Sequence, residues 1–385
     1  MRTEVRRALA LGALMVLAAL ALAACGGDSD GGTTQQASSG DVAKYERQLD
    51  ALYKGTYEEP SGGPVTPPPD KKVWVISTGQ TIETAVNAAQ AMEEAGQTLG
   101  WEVTTFDGKF DSARQIAGIE QALADGADGI VLLYVDCAPV KAGLQQARAA
   151  GVAVVGIESK DCEPALEDHV VRYAGDEDFV TWVSHGFGGS QARWVIAKTG
   201  GEARTIVTVQ TDLYTTAVTY DPGITDEFAS CGGCEIVDTI EFVGDEFGPP
   251  LQQKIEQSLN QHPEANSFIA AYDAVLTGGG GAAALRASGR LDEIESMGGE
   301  GSKPGIELIY NQAGMDACVG IPTAWEGYGA IMGLARVFAG QDPDRGNSGI
   351  GTQACDSDRN LPPKGESYRA PIDFVAAYER LWGVR

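Results

Sequence analysis

Cysteine is the residue type with the most chemistry to offer in this 385-residue chain, which holds seven of them. Cys231-Gly-Gly-Cys234 has the spacing at which one thiolate attacks a disulfide and its neighbour resolves the product, or at which two thiolates begin a zinc site. A redox pair is activated when its first cysteine opens a helix, whose N-terminus stabilises the thiolate. Here the pair follows a predicted helix and precedes a predicted strand, the reverse polarity. No second pair or nearby histidine completes four metal ligands. A structural turn disulfide is the preferred reading; a thiol–disulfide enzyme using Cys231 and Cys234 is the alternative. Other reactive patterns are missing from the sequence: no Gly-x-Ser-x-Gly, no His-Glu-x-x-His and no phosphate loop. His169, His185 and His262 are scattered, and Gly278–Gly281 reads as helix packing because no Lys-Ser/Thr follows it. No enzyme activity, metal or cofactor is expected.

The N-terminus carries a different chemistry. Arg2, Arg6 and Arg7 open an apolar run from Leu9 to Ala24, too short to span a bilayer, which needs ~20 apolar residues. It ends in Leu22-Ala23-Ala24-Cys25, which resembles the lipobox of bacterial lipoproteins. That resemblance makes residues 1–24 a signal peptide and Cys25 the lipidated first residue of a mature chain held at the cell membrane. A plain signal peptide with an incidental cysteine is the competing reading. Residues 26–40 are Gly, Ser, Thr, Gln and Asp with little to bury, a flexible tether. Val42, Tyr45, Leu49 and Leu52 predict a short helix over 41–56. Pro60-Ser-Gly-Gly-Pro64 and Pro67–Pro69 then predict a second, partly extended linker, so that 25–70 stand outside the folded body.

The formal charge is −26, and the leader contributes +2, so the remainder carries about −28. Such a surface repels nucleic acid and anionic lipid headgroups, and no nucleic-acid partner is expected. From Lys71 onward short apolar strands alternate with helices. Strands are predicted at Val73–Ser77, Glu102–Phe106, Gly129–Val135, Val152–Ile157 and Val171–Ala174. A second series follows at Arg204–Gln210, Glu235–Phe242, Ser267–Tyr272 and Ile306–Tyr310. Continuous apolar strands between helices predict α/β architecture, with parallel sheets covered on both faces. About 310 residues after the linker suggest two lobes rather than one core.

The order of these elements resembles the sugar-binding proteins of ABC importers, in the ribose- and galactose-binding type I periplasmic group. The resemblance spans about residues 71–345. It rests on Gly96–Trp101, Ala124–Leu133, Ala149–Gly156, Tyr173-Ala-Gly-Asp176 and His262–Asp273 in that order. It implies two doubly wound parallel-sheet lobes joined by a three-stranded hinge, with crossings near Tyr173–Asp176, Gly320–Thr323 and Ser348–Thr352. One lobe takes 71–174 plus about 321–350. The other takes 175–320 plus about 351–385.

Ligands of such folds sit beyond the carboxyl ends of the strands, and hinge closure buries them. The positions there are Ser77, Thr78 and Gln80, then Asp136, Glu158 and Ser159. Tyr214 and Tyr220 follow, with Tyr272, Asp273, Asn311, Gln312, Trp325 and Glu326 completing the set. Trp325 and the three tyrosines could stack on a sugar face while Gln80, Glu158, Asn311 and Gln312 bond hydroxyls. Asp273 is equally placed to cap a helix, and Trp74 and Trp101 read as core. Glu158-Ser159 stands where the family usually has Asp-Arg, and Tyr220 where it usually has Arg. An amine-bearing ligand would suit Glu158, Asp136, Asp273 and Glu326 better than an ordinary pentose or hexose.

Removing Cys25 leaves six cysteines, and the implied fold pairs them. Cys137 and Cys162 follow neighbouring strands at the cleft edge, Cys318 and Cys355 flank the second and third crossings, and Cys231 pairs with Cys234. The expected function is an extracytoplasmic, lipid-anchored, monomeric receptor that captures a small polar ligand, a sugar or sugar-like molecule, for an ABC permease. A sensor for a membrane signalling partner is the alternative on the same fold.

Overall fold

The computed structural model describes residues 39–385; the expected signal peptide, Cys25 and the expected tether to residue 38 lie outside the described residues. Two sheets organise the chain. The first holds β1 (Lys72–Ser77), β2 (Glu102–Asp107), β3 (Gly129–Leu133), β4 (Ala153–Ile157) and β5 (His169–Val170), in the all-parallel order β2-β1-β3-β4-β5. The second holds β6 (Arg204–Gln210), β7 (Glu235–Phe242), β8 (Ser267–Ile269), β9 (Glu295–Met297), β10 (Ala317–Gly320) and β11 (Gln353–Asp356). Its order is β11-β10-β9-β8-β6-β7, parallel except for the β10–β11 pair.

The apolar runs do what a doubly covered strand requires. Val73, Val75, Val131, Leu133, Val155 and Ile157 pack into one core, while Trp74, Ile76, Ile130, Leu132 and Val154 point to the other face and a separate core. Trp74 and Trp101 are buried, as expected of core residues. The three cysteine pairs form as anticipated, with Cα separations of 5.4, 5.4 and 5.1 Å for Cys137–Cys162, Cys231–Cys234 and Cys318–Cys355. Cys231–Cys234 closes the turn into the amino end of β7, opposite the carboxyl edge of its sheet. No helix among the described residues is long and apolar enough to cross a membrane.

One predicted strand is a helix. Ile306–Tyr310 lies within the helix Lys303–Asn311, whose N-cap Ser302 accepts from the Gly305 N–H. Ile306 and Ile309, three apart, face the core together. The strand at this point of the topology is β9, three residues long.

The hinge is larger than three strands. The expected crossings are present: the Ala174 N–H donates to the Ile350 carbonyl (2.9 Å), the Ser348 N–H donates to the Arg172 carbonyl (2.9 Å), and β10 leads through 321–322 into the helix Thr323–Phe338. That helix packs on β4 and on the helix Glu83–Thr98 of the first lobe. Two more segments join them. The helix Ser39–Lys54 rests on the second lobe, against the helix Gly189–Lys198 and β11. Residues 55–70 then run along the hinge rather than hanging free. N–H groups of Thr56, Glu58 and Ser61 donate to carbonyls of Thr352, Gly349 and Asn347 at 3.0, 3.1 and 3.0 Å. The approach is close enough that a Cβ on Gly349 would sit 2.2 Å from the Glu58 carbonyl oxygen. Arg336, 2% exposed, donates to the carbonyls of Ser61, Gly62 and Gly63, and the Trp101 indole N–H donates to the Pro68 carbonyl. The expected linker is thus a strap, because its backbone groups find fixed partners nearly 300 residues away. At the other terminus the helix Phe374–Trp382 does not stay with the second lobe. It returns to the first, where Tyr378 and Trp382 pack on Tyr328.

These crossings meet at Trp325. Its side chain is fully buried, and its indole N–H donates to the Ser348 carbonyl at 2.8 Å. Tyr57 of the strap and Phe374 of the C-terminal segment stack on it, with ring centroids at 5.7 and 5.0 Å. Trp325 is therefore a packing residue in this structure, not an open platform for a sugar. Trp325→Ala is expected to lower unfolding stability by ~3–5 kcal/mol, the range for deleting a buried aromatic side chain. Denaturant titration checks this, and a loss below about 1 kcal/mol would place Trp325 outside the core.

Candidate functional site

The carboxyl ends of β1, β3 and β4 form one wall of the inter-lobe cleft, and the polar groups there are coupled to one another. Tyr134 leaves β3 with φ +57° and Glu158 leaves β4 with φ +46°, left-handed conformations that turn both chains sharply at the sheet edge. Glu326, in the first turn of the helix Thr323–Phe338, is fully buried. The Tyr134 hydroxyl donates to Glu326 Oε2 at 2.7 Å and the Tyr173 hydroxyl to Oε1 at 3.1 Å. Burial pushes the Glu158 carboxyl well up, and the charges of Glu326 and Glu300 push it further. Glu326 is raised by burial, with the bonds from Tyr134 and Tyr173 holding it back.

The second lobe adds Glu300, just beyond β9, and Tyr272, just beyond β8. Glu300 accepts from the Asp273 N–H at 3.2 Å, and its carboxyl is raised by burial and then by the charge of Asp273. The Tyr272 hydroxyl donates to Gln210 Oε1 at 2.6 Å. The charge of Glu326 raises the Glu300 carboxyl further. Other contacts also span the lobes. Lys160 Nζ lies 4.2 Å from the Tyr214 ring centroid, Glu83 accepts the Ser367 hydroxyl, and the Lys303 N–H reaches Glu83 Oε1 at 3.4 Å.

The predicted residues divide accordingly. Glu158, Glu326 and Tyr272 converge on the cleft, and Tyr214 meets Lys160 at its rim. Ser77 is buried and accepts from Gln80 Nε2 at 2.8 Å, while the Thr78 N–H donates to the Leu133 carbonyl, so these three brace the end of β1. Asp136 accepts from the Lys160 N–H at 2.8 Å and ties two rim loops. Ser159 is buried and donates to Glu167 at 2.8 Å, so its hydroxyl is already committed. Tyr220 turns away and shares a hydrogen bond with Thr239 at 2.9 Å. Asp273 is buried inside the second lobe, accepting from the N–H groups of Gly299 and Ser302 (both 2.6 Å) and from the Ser302 hydroxyl (2.7 Å); the structural role is the one it fills.

Asn311 and Gln312 do not reach the cleft. They end the helix Lys303–Asn311 on the surface, where Asn311 Oδ1 accepts from Lys364 at 3.2 Å. Their assignment followed from the misread strand, and Glu300 after β9 holds that topological position. Tyr134 and Tyr173 were missed as well, although Tyr134 is the first residue past the apolar run Gly129–Leu133. The one grouping of potential metal ligands among the described residues is Cys137, Asp161 and Cys162, and both of its sulfurs are bonded to each other.

A further carboxyl makes the first lobe pH-sensitive. Glu167 is buried beside Ser159, its Oε1 has no partner, and burial pushes its pKa up to about 8 despite the Ser159 bond. A carboxyl raised in the folded state stabilises below its unfolded value of ~4.3, and that stabilisation is lost as pH rises through the folded value. Stability should therefore fall between about pH 5 and pH 8.5 by a few kcal/mol in wild type. Glu167→Gln should remove part of this slope. Parallel slopes in melting temperature against pH for the two proteins would show that Glu167 ionises freely.

Comparison with known proteins follows the same geometry. The family model described as periplasmic binding protein domain matches residues 73–342. Among similar solved structures is a 5-methylthioribose transporter solute binding protein from Thermotoga lettingae in complex with 5-methylthioribose. It has a TM-score of 0.64 at 16% identity, over 84% of this chain and 100% of that one. An ABC transporter solute binding protein from Agrobacterium vitis with bound allitol gives 0.62 at 20% identity, over 74% and 95%. One from Mycobacterium smegmatis with bound glycerol gives 0.62 at 20% identity, over 78% and 100%. No curated protein matches the chain.

Proposed function

This chain belongs to the periplasmic binding protein domain family, and from that membership we propose that it is an extracytoplasmic solute receptor. It captures a small polar ligand, a sugar or polyol, between its lobes and passes it to an ABC permease without covalent chemistry. The observation that carries this reading is the convergence of Tyr134, Glu158, Tyr173 and Glu326 from one lobe with Glu300 and Tyr272 from the other, where the strands of both sheets end. Hydroxyl-rich ligands are held by such mixed donors and acceptors in a site that closes around them. The solutes named for similar structures, 5-methylthioribose, allitol and glycerol, are all uncharged and hydroxylated. The Leu22-Ala-Ala-Cys25 motif supports attachment to the membrane through a lipid on Cys25.

Two measurements test the proposal. In a thermal-shift screen of pentoses, hexoses, polyols and amino sugars, a ligand at a hundred times its dissociation constant should add ~2.7 kcal/mol of stability. Glu158→Ala, at the cleft face of β4, should abolish the shift. A shift that persists unchanged in Glu158→Ala moves the site elsewhere. Membrane fractionation of the full chain should release Cys25→Ala into the soluble extracytoplasmic fraction, and continued membrane retention of that variant refutes the anchor.

A further inference from the structure

A cavity of about 600 Å³ lies outside the carboxyl–tyrosine cluster, between the first lobe and the C-terminal segment. Asn87, Gln90 and Glu94 form one wall, three or four residues apart on the exposed face of the helix Glu83–Thr98. Ser302 lies on the second-lobe side, and Tyr368 and Phe374 face it from the segment after β11. Glu300 belongs to both regions: it lines this cavity, and its backbone carbonyl accepts from the Ile321 N–H at 3.0 Å on the crossing that leads through Thr323 and Ala324, also in the lining, to Glu326 in the cleft. The cavity therefore continues the cleft rather than standing apart from it.

Its lining has a definite chemistry. Amide and hydroxyl groups that both donate and accept, opposite aromatic surface, suit a ligand with hydroxyls on its edge and C–H groups on its face. Five carboxyl side chains, Glu83, Glu94, Glu300, Glu366 and Asp373, stand against the single cation Arg369, which is itself paired with Glu366 at 3.3 Å. That balance disfavours phosphorylated and carboxylated ligands.

We propose that this cavity is an outer subsite for a second sugar unit, so that the protein binds an uncharged glycan of disaccharide size with one ring in the cleft and one against Phe374, which Tyr368 backs from the buried side. The inference rests on the cleft being the ligand site. It places ligand contacts on residues beyond the 73–342 segment matched by the family model. The position of Tyr368 is fixed independently of any ligand: its N–H donates to the Gly301 carbonyl at 2.8 Å, and a Cβ on Gly320 would lie 2.4 Å from its ring. The second subsite is therefore formed before binding.

Isothermal titration of the intact protein with two sets of probes tests this. One set holds single units (D-arabinose, D-allose, allitol, myo-inositol) and the other two-ring sugars (trehalose, maltose, cellobiose, lactose), with glucose 6-phosphate and gluconate as charged controls. At least one two-ring sugar should bind, and the charged controls should not. Gln90→Trp fills the cavity from an exposed helix position and should weaken the two-ring sugar by about tenfold or more, leaving single-unit affinity within about twofold. Asn87→Ala is the milder variant and should cost the two-ring sugar about fivefold. If single units bind and no two-ring sugar does, or if both variants leave two-ring affinity unchanged, the subsite is refuted and the cleft reading stands. If no probe of either set binds, the cleft reading fails and the subsite with it.

Discussion

The burial of Trp325 is the constraint on which the arrangement of both lobes depends. A buried indole must satisfy its N–H and cover both faces of its ring. Here Ser348, in the third hinge crossing, supplies the acceptor, while Tyr57 and Phe374 supply ring contacts from opposite ends of the chain. The Tyr57 hydroxyl in turn donates to the Gly320 carbonyl at 2.6 Å, which ties the strap to the second crossing. One side chain thus ties the second and third crossings to the strap and the C-terminal segment. Glu326 follows it directly in sequence, so the same packing that fixes the indole fixes the carboxyl at the cleft.

That carboxyl has an unusual setting for a binding cleft. A buried pair of glutamates cannot ionise together without a counter-charge, and hydrogen bonds from Tyr134 and Tyr173 satisfy only part of the demand. Burial and the charge of Glu326 favour the protonated form of Glu158, which donates as well as accepts. Sugar hydroxyls need both. An arginine at such a position would only donate. Carboxyls in place of a guanidinium change which hydrogen bonds the cleft offers.

How much could be read from the sequence follows from how local each signal is. β1, β3 and β4 are apolar runs of five or six residues and declare themselves. The sheet order and cysteine pairs followed from the family resemblance. β9 is three residues, Glu-Ser-Met, with no apolar run to mark it, and the neighbouring 306–310 segment shows branched residues whose spacing is helical. That single error displaced the site from Glu300 to Asn311 and Gln312. The strap failed for a different reason. Its Pro and Gly content describes a chain that cannot pair with itself, and says nothing about carbonyls at 347–352 that pair with it. Trp325 was misjudged because an aromatic residue near a cleft looks the same in sequence whether its faces are open or covered.

The strap also orders events in time. Residues 56–61 are synthesised near the start of the chain, yet their backbone partners at 347–352 come close to its end. Contacts of such sequence separation cannot form until the whole body is present. The helix Ser39–Lys54 shares this dependence through β11 and the Tyr53 hydroxyl, which donates to Asp356. The N-terminal part of the molecule is therefore the last to be completed. Residues 39–61 are thus held by the parts of the chain made last, and their seating closes the fold.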